Sequence, residues 1–340
     1  MSSGLLYCGS MAFGKVVGGV TVLKYENGTA EKLGVYGEEI TSQSVLAKAG
    51  NYIIAISEVR GSGKIISYRI LEGGALEIVS VIDTDLGPLC HITSSPDEKY
   101  VFVTCLGIGC LQMYRVNEDG TLTLTHDVRM TGHGFSPRQR NGKTHSSQVT
   151  PDGRLIVAAN HAADELDLYR IDWENEKLIY LQGMPVDLMQ MPRHLAFNAD
   201  GTMLYLVTEV GCRIYAYAVE NDLLVEKASY ALMTEPAKPN TMASDIRLSP
   251  DGKIVVTVVR GENKIASFKV LESGLLDIAG HFPCGGDETR GLYFSEDGKE
   301  LFCANNGGTI TKLSVDTSTG ILGEAEVIAE VPAAGSVMIL

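Results

Sequence analysis

The sequence predicts an all-β fold: a seven-bladed β-propeller with four antiparallel strands per blade, its ring closed by the C-terminal strand. Three observations predict it. A six-residue apolar pattern returns seven times, a Pro-Asp-Gly type turn returns between the copies, and helical periodicity is nearly absent.

The six-residue pattern reads apolar, two variable positions, aromatic or Leu, variable, apolar. It occurs as VTVLKY (20–25), IISYRI (65–70), LQMYRV (111–116), LDLYRI (166–171), IYAYAV (214–219), IASFKV (265–270) and ITKLSV (310–315). Its fourth positions, Leu23, Tyr68, Tyr114, Tyr169, Tyr217, Phe268 and Leu313, are spaced by 45 to 55 residues. That spacing is one four-stranded propeller unit per copy. The turn marker is SPDEK at Ser95, TPDGR at Thr150, NADGT at Asn198, SPDGK at Ser249 and SEDGK at Ser295, with a degenerate AKAGN at Ala47. Asp-Gly between apolar runs signals a hairpin. A β-rich run follows each turn, from YIIAI at Tyr52 to LFCAN at Leu301. Each unit thus has strand A before the turn, B after it, C as the six-residue pattern, and D after a further hairpin such as LEGGALEIV. A β-sandwich or two β domains would not repeat this order seven times. One domain over residues 1–340 is expected. Residues 4–37 lack an A strand of their own, so SVMIL (336–340) is expected to complete the first blade and remove the exposed sheet edges.

Composition bounds the function. A hydrophobic fraction of 45% excludes a disordered chain. No run of about 18 apolar residues is present, so no transmembrane helix is expected. The start, MSSGLLYCGSMAFGK, has no basic segment before an apolar run, so no signal peptide is expected. The net charge of −14 argues against nucleic acid or an anionic membrane as partner and reads as solubility. Seven scattered cysteines without a CxxC read as reduced thiols, and the expected compartment is the cytoplasm.

Topology then gathers side chains. In a four-stranded meander, the D–A and B–C connections share one face, and A is the innermost strand. Indexed on the Pro position of the A–B turn, the residues six before are Cys90, His145, Arg193, Ser244 and Arg290, and those ten after are Leu106, His161, Glu209, Arg260 and Asn306. The next register holds His91, His194 and Asp245. Charged groups at inner positions need partners, solvent or a ligand. His145, Arg193, Glu209 and Arg260 are the candidate catalytic residues, and Arg290, His91 and His194 the candidate substrate-binding ones. By position alone, His91, His161 and His194 also read as structural or rim residues. His126, His133 and His281 fall outside these registers. Metalloprotease, nucleophile-elbow, dinucleotide and phosphate-loop motifs are absent in suitable contexts, and the glycines of CLGIGC (105–110) precede no helix. No cofactor is expected. A metal is not expected either, since the site is rich in arginine.

These segments resemble a known family, the lactonases of seven-bladed propeller fold, which include a bacterial type of 6-phosphogluconolactonase and the fungal 3-carboxy-cis,cis-muconate cyclase. The likeness spans nearly the whole chain through the repeated turns. THSSQVTPDGR around His145 is similar to the family's His-containing inner strand, and MPRHLAFNADG around Arg193 to its Pro-Arg-His segment. TEVGCRIYAY around Glu209 resembles its Glu-x-Gly-x-Arg-Ile stretch, and VVRGENKIASF around Arg260 its Asn-Arg-Gly segment, with Val259 where the family often has Asn. The longest interval, before the C strand at Tyr169, contains GHGFSPRQRNGK (132–143), whose Arg138, Arg140 and Lys143 could form a lid or reshape the pocket.

The resemblance implies acid–base chemistry on a small anionic substrate, a phosphorylated or carboxylated lactone. Arg193 and Arg260 would bind the anion or developing oxyanion, and Glu209 or His145 would handle the proton. A muconate-type cycloisomerase would use the same groups to protonate carbon. A non-catalytic scaffold is the remaining reading.

Overall fold

The computed structural model describes residues 3–12, 17–59 and 61–340. They form seven four-stranded antiparallel sheets, with two short 3-10 turns at Glu72–Gly74 and Pro137–Gln139 as the helical content. Six sheets are built from consecutive strands. The inner strands of blades 2 to 7 are Gln43–Ala49, Leu89–Ser94, Thr144–Val149, Pro192–Phe197, Met242–Leu248 and Thr289–Phe294.

Blade 1 takes its inner strand from the other end of the chain. Ala334–Ile339 pairs with Gly4–Ser10 through Leu6 with Ile339, Tyr7 with Met338, Cys8 with Val337 and Gly9 with Ser336. Two backbone bonds between Leu5 and Leu340 extend the pairing. The seam begins two residues earlier than 336–340 and otherwise follows the sequence reading.

The apolar pattern explains the packing. Its first positions, Val20, Ile65, Leu111, Leu166, Ile214, Ile265 and Ile310, are all inaccessible to solvent, and its fourth positions are all buried. These residues fill seven apolar clusters, each lying between two neighbouring blades. The seam is one of them: Leu6, Leu23 and Tyr25 of blade 1 pack on Phe302, Ala304 and Ile310 of blade 7. There the Tyr25 hydroxyl also donates to Glu300 Oε1 at 2.7 Å. All seven cysteines are buried and unbridged.

The two ends of each inner strand are built differently. At the A–B end, the turn side chains repeat one hydrogen-bond set. Ser95, Thr150, Ser249 and Ser295 each donate to the aspartate two residues on, at 2.6–2.7 Å. Each of those aspartates also accepts a backbone N–H two residues further along. At the other end every inner strand carries a register irregularity against strand B. It falls between Gln43 and Val45, Leu89 and His91, Thr144 and Ser147, Pro192 and His194, Ala243 and Ile246, and Thr289 and Gly291. Blade 1 has the same slip, skipping Gly335. A bulge frees a residue from the ladder and re-aims its side chain. The skipped residues include Ser44, Cys90, His145, Arg193, Ser244 and Arg290, which contain the whole sequence register six before the turn.

Candidate active site

A second ring lies just beyond strand B. The backbone N–H groups of Met11, Glu58, Leu106, Glu209 and Asn306 each donate to a carbonyl at the entry of their blade's inner strand, at 2.7–3.1 Å. This shared bond fixes where the B–C loop meets the channel. Bulge residues and loop residues together wall a cavity of about 310 Å³ lined by Glu58, Cys90, His91, His145, Arg193, His194, Glu209, Arg260 and Arg290, among others. All seven indexed candidates therefore meet in one place. The volume suits a small ligand. A larger cavity, about 740 Å³, opens among the turns Pro250 and Ser295 and the C-terminal Ile339 and Leu340, and contains none of those seven.

Glu209 is the hub. Arg260 Nη2 donates to its Oε1 at 2.8 Å and to the Ala243 carbonyl at 3.1 Å. His161 Nε2 lies 3.1 Å from Oε2, with Arg193 Nε at 3.8 Å and His145 Nε2 at 4.0 Å. Burial alone would raise the Glu209 carboxyl, but the His161 hydrogen bond and the Arg193 and Arg260 charges outweigh it and hold it well below the usual range. Glu209 is thus ionised and acceptor-only, so His161 Nε2 carries the proton it shares. Of the two readings that its position allowed, structural or rim, His161 takes the structural one, as a buried contact of this carboxylate.

A second braced unit stands beside the first. Asp245 Oδ1 meets His194 Nδ1 at 2.8 Å, while Oδ2 accepts from Arg247 Nε at 3.0 Å and from the Leu292 N–H at 2.9 Å. Burial works against the Asp245 charge, yet Arg247 and His194 hold its carboxyl low. His194 therefore donates through Nδ1 and keeps Nε2 as an acceptor. Its pKa is lowered to about 4 by burial and the Arg193 charge. The rings of His91 and His145 each pack edge-on to His194 at 5.1 Å. Both are held well below the ordinary histidine value, by burial first and then by neighbouring charge. At neutral pH these three imidazoles are uncharged.

Cys90 Sγ lies 3.5 Å from His145 Nδ1. Burial and then the Glu58 charge push its thiol well above the usual value, so this pair is not an activated thiolate.

The arginines crowd one another. Burial and the charge of Arg260 lower Arg193, and burial with Arg260 and Arg193 lowers Arg290 to about 10. Arg193 also donates through Nη1 to the Ser244 carbonyl, and Arg290 through Nη2 to Glu288 at 3.1 Å. The Nε groups of Arg193 and Arg260 are buried without a hydrogen-bond partner among the described residues. Hydroxyls lock the inner strands together around this cluster: Thr104 to the His145 carbonyl, Ser146 to the Arg193 carbonyl, and Ser244 to the Thr289 carbonyl.

The segment 132–143 reaches over the mouth. Ser136 caps the Pro137–Gln139 turn. Gln139 is fully buried and donates to Asp164 Oδ2 at 2.8 Å, anchoring the segment. Arg138 lines the cavity and lies 3.5 Å from Met242 Sδ at the start of blade 6. Arg140 is exposed and Lys143 is not among the cavity residues.

Glu58 lines the cavity from blade 2, whose degenerate turn lacks the Pro-Asp marker and stands outside the five indexed ones. It occupies in blade 2 the loop position that Glu209 occupies in blade 5, six residues after the start of strand B (Tyr52 and Met203). Burial pushes its carboxyl up to about 7, against the lowering effect of Arg290, Arg193 and the Ser44 hydroxyl. Ten residues on from Lys48, at the Pro position of the degenerate AKAGN turn, the same index lands on Glu58.

The closed seven-bladed ring agrees with the resemblance to the lactonase propellers. The chain belongs to that family, Lactonase, 7-bladed beta-propeller, whose model matches residues 6–339. An uncharacterized Staphylococcus epidermidis protein is 26% identical over 313 residues, 89% of each chain. Among solved structures, the periplasmic gluconolactonase of Pseudomonas aeruginosa superposes with a TM-score of 0.90 at 23% identity, covering 100% of this chain and 99% of its own. A Lactobacillus plantarum protein superposes at 0.92 with 20% identity over the full length of both chains. These likenesses to solved structures show the fold. No helix among the described residues is long and apolar enough to cross a membrane.

Proposed function

We propose that the protein hydrolyses a small anionic sugar lactone, in the manner of a 6-phosphogluconolactonase, at the cavity of Arg193, Glu209 and Arg260. The observation that carries this reading is the pair of buried guanidinium N–H groups, on Arg193 and Arg260, that have no hydrogen-bond acceptor among the described residues. A carboxylate, phosphate or developing oxyanion would satisfy them with charge-assisted bonds. Arg290 adds positive charge at the same mouth, and Arg138 closes over it.

In this reading Glu209 remains ionised. It holds Arg260 and His161 in place and offsets part of the arginine charge. His194 and His145 are neutral and hydrogen-bond the substrate or the attacking water. The carbonyl oxygen becomes the oxyanion, and the preorganised arginines stabilise it most where its charge is greatest. The overall acidity of the chain makes this basic mouth a local focus for anions.

The test is a substrate series with spontaneous hydrolysis subtracted. 6-Phosphogluconolactone should have a kcat/KM at least 10-fold above that of the unphosphorylated lactone. Equal values would mean that the arginines do not select an anion.

A further inference from the structure

Resting on the lactonase reading, we propose that Glu58 is the catalytic acid–base of this site, taking a proton from the attacking water and returning it to the ring oxygen of the lactone.

Three observations place it there. Glu58, in blade 2, lines the same cavity as Arg193 of blade 5 and Arg290 of blade 7, and its N–H bond to the Ser42 carbonyl at 2.9 Å fixes its backbone as in the Glu209 blade. Its Oε2 is buried and has no hydrogen-bond partner among the described residues, whereas both Glu209 oxygens are engaged. The other proton carriers of the cavity are committed elsewhere. Glu209 is locked to Arg260 and His161, Asp245 to His194 and Arg247, and protonation of His145 is opposed by burial and by the Arg193 and His194 charges. Arg290, Arg193, Ser44, Glu209 and Cys90 are the groups whose charge or hydrogen bonding acts between Glu58 and its surroundings. Their balance leaves a carboxyl that changes protonation near neutrality, the condition for efficient proton transfer.

The step balances. The Glu58 carboxylate accepts a proton from water as the water oxygen bonds to the lactone carbon. The carbonyl electron pair moves onto oxygen beside Arg193. Collapse re-forms the carbonyl and breaks the bond to the ring oxygen, which receives the proton back from Glu58. The product carboxylic acid releases its proton to solvent.

The experiment measures background-subtracted hydrolysis of 6-phosphogluconolactone and gluconolactone from pH 5 to 9 by the wild type, Glu58→Gln and Glu58→Asp, with melting temperatures as the folding control. The wild-type kcat should rise with pH through a limb near 7. Glu58→Gln should lower kcat about 100-fold and remove the limb while changing KM less than about 3-fold. Glu58→Asp should retain a limb at a shifted pH with part of the rate, which also decides the question if Glu58→Gln does not fold. An active wild type whose limb and kcat survive in Glu58→Gln would overturn this assignment and leave the lactonase reading standing. A wild type inactive on both lactones would overturn the two together.

Discussion

The two ends of the inner strands show how one repeat serves two purposes. At the A–B turns, four blades use the same Ser or Thr and the same Asp, and the hydrogen bonds agree to 0.1 Å. At the bulge end, the corresponding residues are Ser44, Cys90, His145, Arg193, Ser244 and Arg290, four residue types among six positions. The turn end closes hairpins, a task identical in every blade. The bulge end faces one shared cavity, whose wall changes in chemistry from blade to blade. The bulge end is itself uneven: blades 4 to 7 supply Arg193, Arg260 and Arg290, with His145, His161 and Glu209, while blades 1 to 3 supply Met11, Glu58, Cys90, His91 and Leu106.

Substitutions should therefore separate by end. The largest effect lies outside both. Deleting 336–340 removes most of the strand paired with Gly4–Ser10 and opens the seam, so cooperative thermal unfolding should be lost. A soluble truncation with an unchanged melting temperature would show that the ring does not depend on its closure.

At the bulge end, Arg193→Lys should lower kcat/KM about 100-fold, because an ammonium cannot replace the planar fork at an oxyanion. Its far-ultraviolet circular dichroism should be unchanged. Glu209→Gln leaves Arg193 and Arg260 without their carboxylate and should destabilise the fold by about 3 kcal/mol in urea titration at pH 7. The sign with pH follows from a folded-state pKa below the unfolded one. The Glu209 contribution is complete above the unfolded carboxyl value and is lost as pH falls through the folded one. Acidification should thus narrow the gap between wild type and Glu209→Gln. A gap that widens in acid would contradict the ionised hub.

Glu58 carries the opposite sign. Its folded pKa is raised, so its burial costs stability as pH rises from the unfolded carboxyl value through about 7. Glu58→Gln should have a higher melting temperature than wild type at pH 8 and an equal one at pH 4. The smallest effect belongs to the turn end. Ser249→Ala, losing its bonds to Asp251 and to the Ile254 N–H, should cost about 1 kcal/mol and leave kcat/KM unchanged. A loss of activity there would blur the distinction between the ends.

The same distinction governs what was legible in the sequence. Blade number, strand order and seam follow from repetition, since Tyr68, Tyr114, Tyr169 and Tyr217 fill equivalent gaps between blades. Counting from the turns also brings His145, Arg193, Glu209, Arg260, Arg290, His91 and His194 to one mouth, because inner strands of six or seven residues put equal offsets at nearly equal depth. Glu58 lies ten residues after Lys48, as the count requires, but its turn is hard to recognise for a local reason. In blade 2 Ala49 pairs directly with Tyr52, so the turn is shorter than the loop from Ser94 to Tyr100 and lacks its marker. The contact of His161 with Glu209 crosses from blade 4 to blade 5, and no single-blade pattern encodes it. Arg138 lies in a segment with no counterpart in other blades, so its basic character was visible but its reach to Met242 was not.

The proposed function turns on hydrolysis of a lactone held by Arg193 in the cavity at the bulge end. Its most direct test is the background-subtracted rate of 6-phosphogluconolactone hydrolysis by wild type and Arg193→Lys side by side, with 3-carboxy-cis,cis-muconate as the alternative substrate. The account predicts a clear wild-type rate on the lactone, a loss of about 100-fold in Arg193→Lys, and no cyclisation of the muconate. No lactone hydrolysis above background, or cyclisation of the muconate in its place, would contradict it.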